Sequence, residues 1–420
     1  MKLRIAYCVS HFPYQSETYL LNQLKELLEE GHEVTIFSIG QFDTYPKHAV
    51  IEKYKLLERT IYRPPIPKGR FKRLAVAFKL LLQNIPHAKH LLRTLNVARY
   101  GTYALNLQFF YDAIPFLRKK EFDIVHCQFG PNGIKALNFR EIGLLNGALI
   151  TSFHGFDINE KEFLSWPEHY SRKGLYRDLN QACHIFTVSS RFSRHTAASL
   201  GIAAGKIEVL PAGLDTQKFR RREQGTRKNS SPFILLTVAR LVDVKGIAYG
   251  IRAVSTLVQE FPNLLYHVIG EGEKRAELEE LINSLNLQNH ICLHGAATQE
   301  EVLEHYQMAD VFVLTGVEAA DGEVETQGLV VQEAQSMELP VVVTDAGGTA
   351  EGVLEGITGF VVPQKDVTAI VEKIRYLLEN PEERNRLGKA GRAFVVEQYD
   401  AKVQHRRLME LYHRLLRQEA

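Results

Sequence analysis

The amino-acid sequence predicts an α/β protein with two doubly wound, parallel-sheet domains. Short apolar runs alternate with longer amphipathic helical patterns along most of the chain, which is typical of β–α–β units. The chain has 420 residues, too many for one hydrophobic core and enough for two domains of roughly 200 residues each.

The first half of the chain carries the strands of an N-terminal domain, predicted to span residues 1–215. Between its first two strands, Ser16 is predicted to cap a helix that ends near Glu30, where Gly31 stops it. The predicted strands are Arg4–Ser10, Glu33–Ile39, Phe122–Gln128, Gly147–His154 and His184–Ser190.

The second half repeats this pattern as a C-terminal domain, predicted to span residues 226–395. The polar stretch Arg220–Pro232 before it is nearly free of apolar residues and is predicted to be a linker. A C-terminal helix over 396–420 is predicted to pack back on the N-terminal domain. The predicted strands are Phe233–Arg240, Leu264–Gly270, Ile291–Gly295, Asp310–Gly316 and Pro340–Asp345.

Composition and charge exclude several classes of protein. Hydrophobic residues make up 45% and charged residues 24% of the chain, as in ordinary globular proteins. The net charge of +2 gives no general attraction to nucleic acid, so no such partner is expected. Four scattered cysteines indicate reduced thiols, and the sequence contains neither a signal peptide nor a transmembrane run. We therefore expect a cytoplasmic protein.

A basic segment departs from the strand–helix rhythm and is predicted to be a helical insertion over about residues 60–110. From Arg59 to Tyr111 the sequence has no Asp or Glu and is rich in Lys, Arg and Leu. This pattern suits peripheral contact with an anionic inner-membrane surface. It equally suits an insertion packed on the N-terminal domain with its cations in water, and the sequence leaves both interpretations open.

Two cations follow the first strand of the C-terminal domain, where parallel sheets bind ligands. Arg240 ends the predicted strand, and Lys245 follows five residues later. Arg grips a phosphate with two parallel hydrogen bonds and Lys adds a point charge. In the next strand-to-helix turn, Gly270 and Gly272 would let a ligand approach the backbone, although tight turns use such glycines constantly. An ordinary surface loop with two cations is the alternative.

The stretch "DGEVETQGLVVQEAQ" (Asp321–Gln335) places two carboxylates around a helix start predicted at Thr326–Gly328. Free N–H groups at a helix start can receive a phosphate. Glu325 would face the ligand beyond the phosphates, and Glu333 would reach a group on their other side. Carboxylates accept hydrogen bonds from hydroxyls, so a sugar, a diphosphate and a ribose explain the spacing. Two exposed glutamates are the alternative.

A histidine in the N-terminal half points to the same kind of ligand-binding edge. His154, in "TSFHGFD", lies at the carboxyl end of a predicted strand. A lone histidine at such a place is more often structural than functional.

Taken in order, these motifs resemble the retaining GT-B glycosyltransferases of family 4, whose two Rossmann-like domains face a central cleft. In the C-terminal half the resemblance rests on "RLVDVKG", "GEGEKRAELE", the Glu325–Glu333 pair and "ELPVVVTDAGGTAEGVLEGITGFVV". The segment "LPAGLDTQKF" resembles the family's interdomain strand and turn. In the N-terminal half, "FPYQSETYLLNQL", "VHCQFG" and "FHGFD" resemble the exopolysaccharide branch, which includes colanic acid biosynthesis transferases.

The resemblance implies a hexosyltransferase-type enzyme that uses a nucleotide diphosphate sugar to build a bacterial exopolysaccharide or cell-surface glycan. Its acceptor would be a saccharide or a polyprenyl-linked saccharide. The resemblance implies that Arg240 and Lys245 bind the donor diphosphate, that Glu333 binds the ribose and that His154 contacts the donor sugar. Gly270 and Gly272 would form a turn of the donor site. The donor sugar and phosphates would be bound by Glu325 with Thr326, Gln327, Gly328 and Leu329.

Two departures from the family pattern limit what the resemblance implies. The family often has a glycine pair after the first strand, whereas this chain has "HFPYQSET" there. Ser16 and Glu17 are therefore predicted on the acceptor side. Asp157, in the "FHGFD" motif, is also expected there. The usual Glu-Gly-Phe-Gly is Glu-Thr-Gln-Gly here, so the identity of the donor sugar does not transfer.

The predicted mechanism needs no metal and no cofactor, because cations and a helix N-terminus would stabilise the leaving diphosphate. A retaining hydrolase places two carboxyls about 5 Å apart. Glu325 and Glu333 are too far apart for that pair, so we predict a front-face route in which the leaving phosphate helps to deprotonate the acceptor. Domain closure would exclude water.

Other activities of α/β proteins remain alternatives. A sugar-nucleotide epimerase of the same fold is the main one, and it would act on the donor alone. A phosphorylase needs a pyridoxal-binding lysine, for which no motif is found. A nicotinamide oxidoreductase needs GxGxxG after the first strand, which "SHFPYQSE" lacks. A binding-only module would tolerate loss of His154 and Glu325.

Overall fold

Two compact units make up the chain in the computed structural model, which describes residues 2–13, 18–40, 49–117, 121–158, 176–222, 232–320 and 322–419. The first unit comprises Met1–Val188, Arg194–Leu210 and His405–Ala420, and the second comprises Ser189–Ser193 and Pro211–Gln404. The described residues of each unit form one parallel sheet with helices, so the predicted fold class is confirmed.

The first unit is built on a sheet of seven described strands. The strands are β1 (Arg4–His11), β2 (Glu33–Gly40), β3 (Thr60–Tyr62), β4 (Glu121–Gln128), β5 (Asn146–Ser152), β6 (Ile185–Val188) and β7 (Ile207–Val209). Their order is β3-β2-β1-β4-β5-β6-β7, and neighbouring strands run parallel. In the interior strand β1, Ile5–Val9 are all buried, as expected when helices cover both faces of a parallel sheet.

The helices of the first half pack their apolar faces on this sheet. In the first helix, Leu20, Leu24 and Leu27 are buried against β1 and β2. The helices are α1 (Thr18–Glu29), α2 (Ala49–Lys53), α3 (Arg70–Gln83), α4 (Ala88–Arg93), α5 (Val97–Tyr100), α6 (Thr102–Leu105), α7 (Gln108–Ala113), α8 (Gly130–Glu141), α9 (Arg177–Ala182) and α10 (Arg191–Ser199).

The second unit is built on a sheet of six described strands, ordered β10-β9-β8-β11-β12-β13. The strands are β8 (Phe233–Val238), β9 (Leu264–Ile269), β10 (Ile291–Gly295), β11 (Val311–Leu314), β12 (Val341–Thr344) and β13 (Gly359–Val362). The helices are α11 (Ile247–Leu257), α12 (Arg275–Ser284), α13 (Gln299–Met308), α14 (Leu329–Ser336), α15 (Val367–Glu379) and α16 (Pro381–Gln398).

A final helix, α17 (Ala401–Glu419), contributes to the core of the first unit. Leu408, Leu411 and Tyr412 are buried together with residues of β1 and α1. Tyr412 Oη lies 2.7 Å from His126 Nδ1 and 3.3 Å from Tyr7 Oη, while His126 Nε2 lies 2.6 Å from Ser152 Oγ. Burial lowers the pKa of His126 to about 3, so the imidazole is neutral.

The basic segment 59–111 contains β3 and a run of helices, of which α3 is the longest. Ala77 of α3 is buried in the core of the first unit. Phe71 and Phe78 of the same helix are 90% and 62% exposed, and Leu74 and Leu82 are exposed beside them. Among the described residues, no helix combines the length and apolar composition that crossing a bilayer requires.

Candidate active site

The predicted donor residues of the second unit follow strands that are neighbours in its sheet. Arg240 and Lys245 follow β8, the stretch that contains Glu325 follows β11, and β8 pairs directly with β11. The carboxyl ends of parallel strands meet at one edge of a sheet, where α/β proteins bind ligands. The structure therefore brings these residues to one edge.

Lys245 and Glu325 form an ion pair at this edge. Lys245 lies on a 3₁₀ turn that is pinned to the end of β11, since Val317 N donates to Val244 O at 3.0 Å. Lys245 Nζ donates to Glu325 Oε2, and the two side chains are only 13% and 20% exposed. Burial alone would raise the pKa of Glu325. The Lys245 ammonium and hydrogen bonds from the Gln327 and Gly328 amides outweigh it and lower that pKa.

The helix after Glu325 begins later than predicted. α14 begins at Leu329, and Gly328 is its N-cap with φ 74°. Thr326–Gly328 are therefore a turn before the helix, not its first residues. The Thr326 amide donates to Glu325 Oε1 at 3.2 Å. Together with the amides of Gln327 and Gly328, it makes this turn a concave anion-binding surface that the Glu325 carboxylate occupies.

Glu333 lies in the second turn of α14, with a partner that the sequence did not indicate. Tyr306 Oη, on α13, donates to Glu333 Oε2 at 3.0 Å. Burial raises the pKa of Glu333 to about 7, and the Tyr306 hydrogen bond and the charge of Lys218 offset this only partly. Near neutral pH this carboxyl is poised between its two protonation states.

Arg240 is exposed on a loop that the two predicted glycines hold in place. A Cβ at Gly270 would lie 1.9 Å from Ala239 O, and one at Gly272 would lie 2.3 Å from Leu241 O. Leu241 N donates to Glu271 O at 2.9 Å, which joins the two loops. The glycines thus permit backbone to approach backbone beside Arg240. Within the described residues the Arg240 guanidinium makes no ion pair or hydrogen bond.

The side chain of Gln327 forms two hydrogen bonds with the backbone of Ala212, in the segment before β8. Ala212 N donates to Gln327 Oε1 at 2.8 Å, and Gln327 Nε2 donates to Ala212 O at 3.2 Å. Gln327 is 8% exposed. This pairing gives the glutamine of the Glu-Thr-Gln-Gly sequence a structural role, which leaves its backbone amide as its contribution to the turn.

His154 lies in the first unit, just after β5, in a loop organised by Asp157. His154 Nε2 donates to Gln128 Oε1 at 2.7 Å, and burial lowers the pKa of His154 to about 3. The Asp157 carboxylate accepts hydrogen bonds from the amides of Gly130, His154 and Gly155 at 2.9, 2.9 and 3.0 Å. Burial raises the pKa of Asp157 to about 6 against these hydrogen bonds. Asp157 is fully buried, so it shapes the loop, and its predicted contact with an acceptor stays a prediction.

Some predicted residues lie outside the described part of the chain. These are Ser16 and Glu17 on the predicted acceptor side, and Asp321 of the loop before Glu325.

Two groups of polar residues were missed. One is Tyr306, beside Glu333. The other is a buried cluster of the first unit in which Asp112 contacts Arg63 at 3.0 Å and Lys135 at 3.7 Å. Their partners are distant in sequence, so no local motif signals them.

Two family descriptions together cover nearly all of the chain. "Glycosyltransferase Family 4" matches residues 16–218, and "Glycosyl transferases group 1" matches residues 218–394. The boundary between the two matches falls just before the predicted linker.

Among curated proteins, the chain is similar to two bacterial glycosyltransferases over most of its length. It is 30% identical to the amylovoran biosynthesis glycosyltransferase AmsK of Erwinia amylovora, over 98% of this chain and 100% of that protein. It is 30% identical to the putative colanic acid biosynthesis glycosyltransferase WcaL of Escherichia coli K12, over 89% of this chain and 90% of that protein.

Solved structures of glycosyltransferases share the fold. One from Rickettsia africae superposes with a TM-score of 0.70 at 20% identity and covers 99% of both chains. Anabaena HepE in complex with UDP-glucose superposes with a TM-score of 0.66 at 16% identity, over 97% of this chain and 99% of that one.

Proposed function

The chain belongs to the family 4 (group 1) glycosyltransferases, and from this premise we propose that it transfers a sugar from a nucleotide diphosphate sugar during synthesis of a bacterial exopolysaccharide. The acceptor is a hydroxyl of a saccharide or of a lipid-linked saccharide. AmsK and WcaL are named for amylovoran and colanic acid biosynthesis, which supports this class of product. Because the matched proteins are glycosyltransferases, the epimerase alternative is not favoured.

The observation that carries the proposal is the anion-binding turn beside Lys245. Three backbone amides and one ammonium converge on the Glu325 carboxylate, and Arg240 is exposed at the same edge without an ion-pair partner in the described residues. A site with this charge suits a diphosphate. HepE, which shares the fold, was solved with UDP-glucose, and this supports a nucleotide sugar as the donor.

Negative charge develops on the leaving diphosphate during transfer. Preorganised cations and amides stabilise such charge without reorganising, and one donor of this kind contributes about 2.7–4 kcal/mol. We assign this role to Arg240, Lys245 and the amides of Thr326–Gly328. A Glu325 carboxylate displaced from the turn by the diphosphate can accept hydrogen bonds from the donor sugar, and Glu333 can accept those of the ribose.

We further propose that the anomeric configuration is retained through a front-face route. Before the donor binds, Lys245 and the turn amides lower the pKa of Glu325, so this residue meets the donor as an ionised hydrogen-bond acceptor rather than as an acid. His154 is neutral, so it can contact the donor sugar as a hydrogen-bonding group without adding charge. The charge on the leaving group is met by side chains and amides, so the proposed chemistry uses no metal and no cofactor.

The acceptor is proposed to be presented at the inner face of the membrane. Phe71, Leu74, Phe78 and Leu82 recur at helical spacing along α3 and are all exposed. Lys72 and Lys79 border this stripe, and the segment 59–111 has no acidic residue. An exposed apolar stripe with basic flanks suits the interface of an anionic bilayer. A cytoplasmic protein that binds this face peripherally can reach a polyprenyl-linked acceptor.

The test of the proposed function is a donor panel. The purified chain is heated with UDP-, GDP- and dTDP-sugars, and a donor present at 100 times its Kd stabilises the protein by about 2.7 kcal/mol. The stabilising donor is then incubated with lipid extracts as acceptor, and the product anomer is read by NMR. No stabilisation by any donor would contradict the proposal. Epimerised donor formed without acceptor would establish the epimerase instead.

A further inference from the structure

Three histidine side chains converge beside the outer edge of the second sheet. His267 lies on β9, His294 on the neighbouring strand β10 and His305 on α13. The ring centroids are 4.7 Å apart for His267–His294, 4.6 Å for His294–His305 and 5.6 Å for His267–His305. One ring nitrogen from each histidine lies within 4.8 Å of the other two.

The fold explains why these residues meet. β9 and β10 are parallel, with Cys292 in register with His267. The register shifts between Leu293 and Gly295, and His294 lies at this irregularity with its ring beside that of His267. His267 shares its face of β9 with Ile269, and Ile269 packs in the same core cluster as Tyr306 of α13. The helix that follows β10 thus brings His305 over the two strand residues.

Two buried ring nitrogens of this cluster lack hydrogen-bond partners within the described part of the chain. His267 Nδ1 and His305 Nδ1 are buried and form no hydrogen bond with any described residue. A buried nitrogen without a partner is destabilising. Burial lowers the pKa of all three histidines, that of His267 to about 4, so the rings are neutral at physiological pH. Neutral imidazole is the form that binds metals.

We propose that His267, His294 and His305 form a binding site for one divalent transition-metal ion, with Zn²⁺ as the representative. Three imidazoles and one water complete a tetrahedral zinc site. Zn–N bonds of 2.0–2.1 Å place the nitrogens about 3.3 Å apart, so separations that lie within 4.8 Å have to close by at most about 1.5 Å. Side-chain rotation of the exposed His294 and the half-buried His305 supplies this movement.

The donor set and its charge surroundings select the class of ion. Imidazole nitrogens favour zinc, nickel, cobalt and copper, whereas magnesium and calcium prefer oxygen ligands. Glu301 and Glu304 of α13 place negative charge near His305, which favours a cation. A bound ion would tie α13 to the edge strand β10. Because α13 also carries Tyr306, it would fix the helix from which Tyr306 reaches Glu333.

Metal titration of the untagged full-length chain tests the site. The protein is treated with a chelator, dialysed and titrated with ZnCl₂ by calorimetry, with Co²⁺ absorption spectra as a second readout. We expect one ion per chain, a tetrahedral Co²⁺ spectrum and a higher melting temperature with Zn²⁺. Each of His267→Asn and His305→Asn should weaken binding more than about tenfold, because a direct ligand matters at least as much as its hydrogen-bonding neighbours.

His195→Asn is the matched control, because His195 is an exposed histidine of α10 outside the cluster. It should bind Zn²⁺ as the unaltered chain does. His294→Asn replaces the exposed member of the cluster. It therefore tests zinc binding even if His267→Asn or His305→Asn fails to fold. The proposal is overturned if the unaltered chain binds no ion at this stoichiometry, or if His294→Asn binds as tightly. Sugar-nucleotide binding is a separate readout, so this outcome does not depend on the proposed function.

Discussion

Lys245 and Glu325 follow two neighbouring strands, β8 and β11, and their charged groups pair at the carboxyl edge of the second sheet. The pair is largely buried, and the amides of the turn before α14 donate to the same carboxylate. In the proposed donor site, the Lys245 ammonium and the turn amides are therefore already arranged around the Glu325 carboxylate. Donor diphosphate would compete with Glu325 for this position.

Replacing Lys245 tests its proposed catalytic contribution. Lys245→Met should lower kcat/KM about 10²–10³-fold, a loss of about 2.7–4 kcal/mol of transition-state stabilisation, because it removes a preorganised cation from the leaving diphosphate. Steady-state kinetics with the donor found in the panel measure this loss. Lys55→Met is the control, because Lys55 pairs with Glu58 on the surface of the first unit and should change kcat/KM little. Equal losses in both variants would contradict the assignment.

The same substitution should also destabilise the fold. Lys245→Met leaves the Glu325 carboxylate largely buried without its cation, which costs about 1–3 kcal/mol. The double variant Lys245→Met/Glu325→Gln should recover part of this free energy of unfolding, measured with urea. A double variant less stable than Lys245→Met would show that loss of the ion pair does not cause the destabilisation.

Glu333 should give stability a distinct pH dependence. Its folded pKa of about 7 exceeds the ordinary value of 4.5, so the ionised form costs folding free energy. This cost grows as pH rises from about 4.5 to about 7 and is complete above that range. Glu333→Gln should therefore be more stable than the unaltered chain at about pH 8, by up to about 3 kcal/mol, with no difference below about pH 4.5. Urea unfolding across this range measures it, and a pH-independent difference would contradict it.

Gly270 should be required for the Arg240 loop. Gly270→Ala places a methyl group 1.9 Å from Ala239 O and should separate the two loops, with a stability loss of about 1–3 kcal/mol and weaker donor binding. Gly205→Ala is the control, because no atom lies within 4 Å of a Cβ there. Thermal melts and donor titrations compare the two. Unchanged donor affinity in Gly270→Ala would separate this glycine from the donor site.

The exposed stripe of α3 should bind anionic membranes. Phe71→Ser/Phe78→Ser should lower partitioning onto phosphatidylglycerol vesicles at least about tenfold, because burying a phenylalanine contributes about 1.5–3 kcal/mol. Vesicle flotation measures this, with neutral phosphatidylcholine vesicles for comparison. Ile357→Ser, at another exposed apolar residue, should leave flotation unchanged. No retention of the unaltered chain by anionic vesicles would remove the membrane proposal.

Tyr412 should anchor α17 to the first unit. Tyr412→Phe removes the hydroxyl next to His126 Nδ1 and leaves that buried nitrogen unpaired, at a cost of about 1–3 kcal/mol. Tyr376→Phe, at a 39% exposed tyrosine, is the control and should change little. Urea unfolding followed by circular dichroism compares the variants. Equal stability of the two would argue against the buried hydrogen bond.

The sequence predicted features that depend on local patterns or on the repeated strand–helix rhythm. Strand β10 was predicted with the bounds that it has, and Lys245 and Glu325 could be placed at one sheet edge because strand ends meet there. Strands β3 and β7 were not predicted, since each has three residues and no room for a pattern. The start of α14 was missed because Gly328 takes a left-handed conformation that delays the helix. Tyr306 beside Glu333 and the three histidines depend on tertiary contacts, which leave no local signal.

The placement of α17 also has a consequence for synthesis. The core around Tyr7 and His126 is completed by Leu408 and Tyr412. These two residues lie close to the end of the chain, whereas Tyr7 lies on its first strand. On the ribosome, the first unit therefore emerges with its apolar surface still open while the second unit is made. Nascent chains interrupted before residue 405 would carry this exposed surface and become targets for chaperones and proteases.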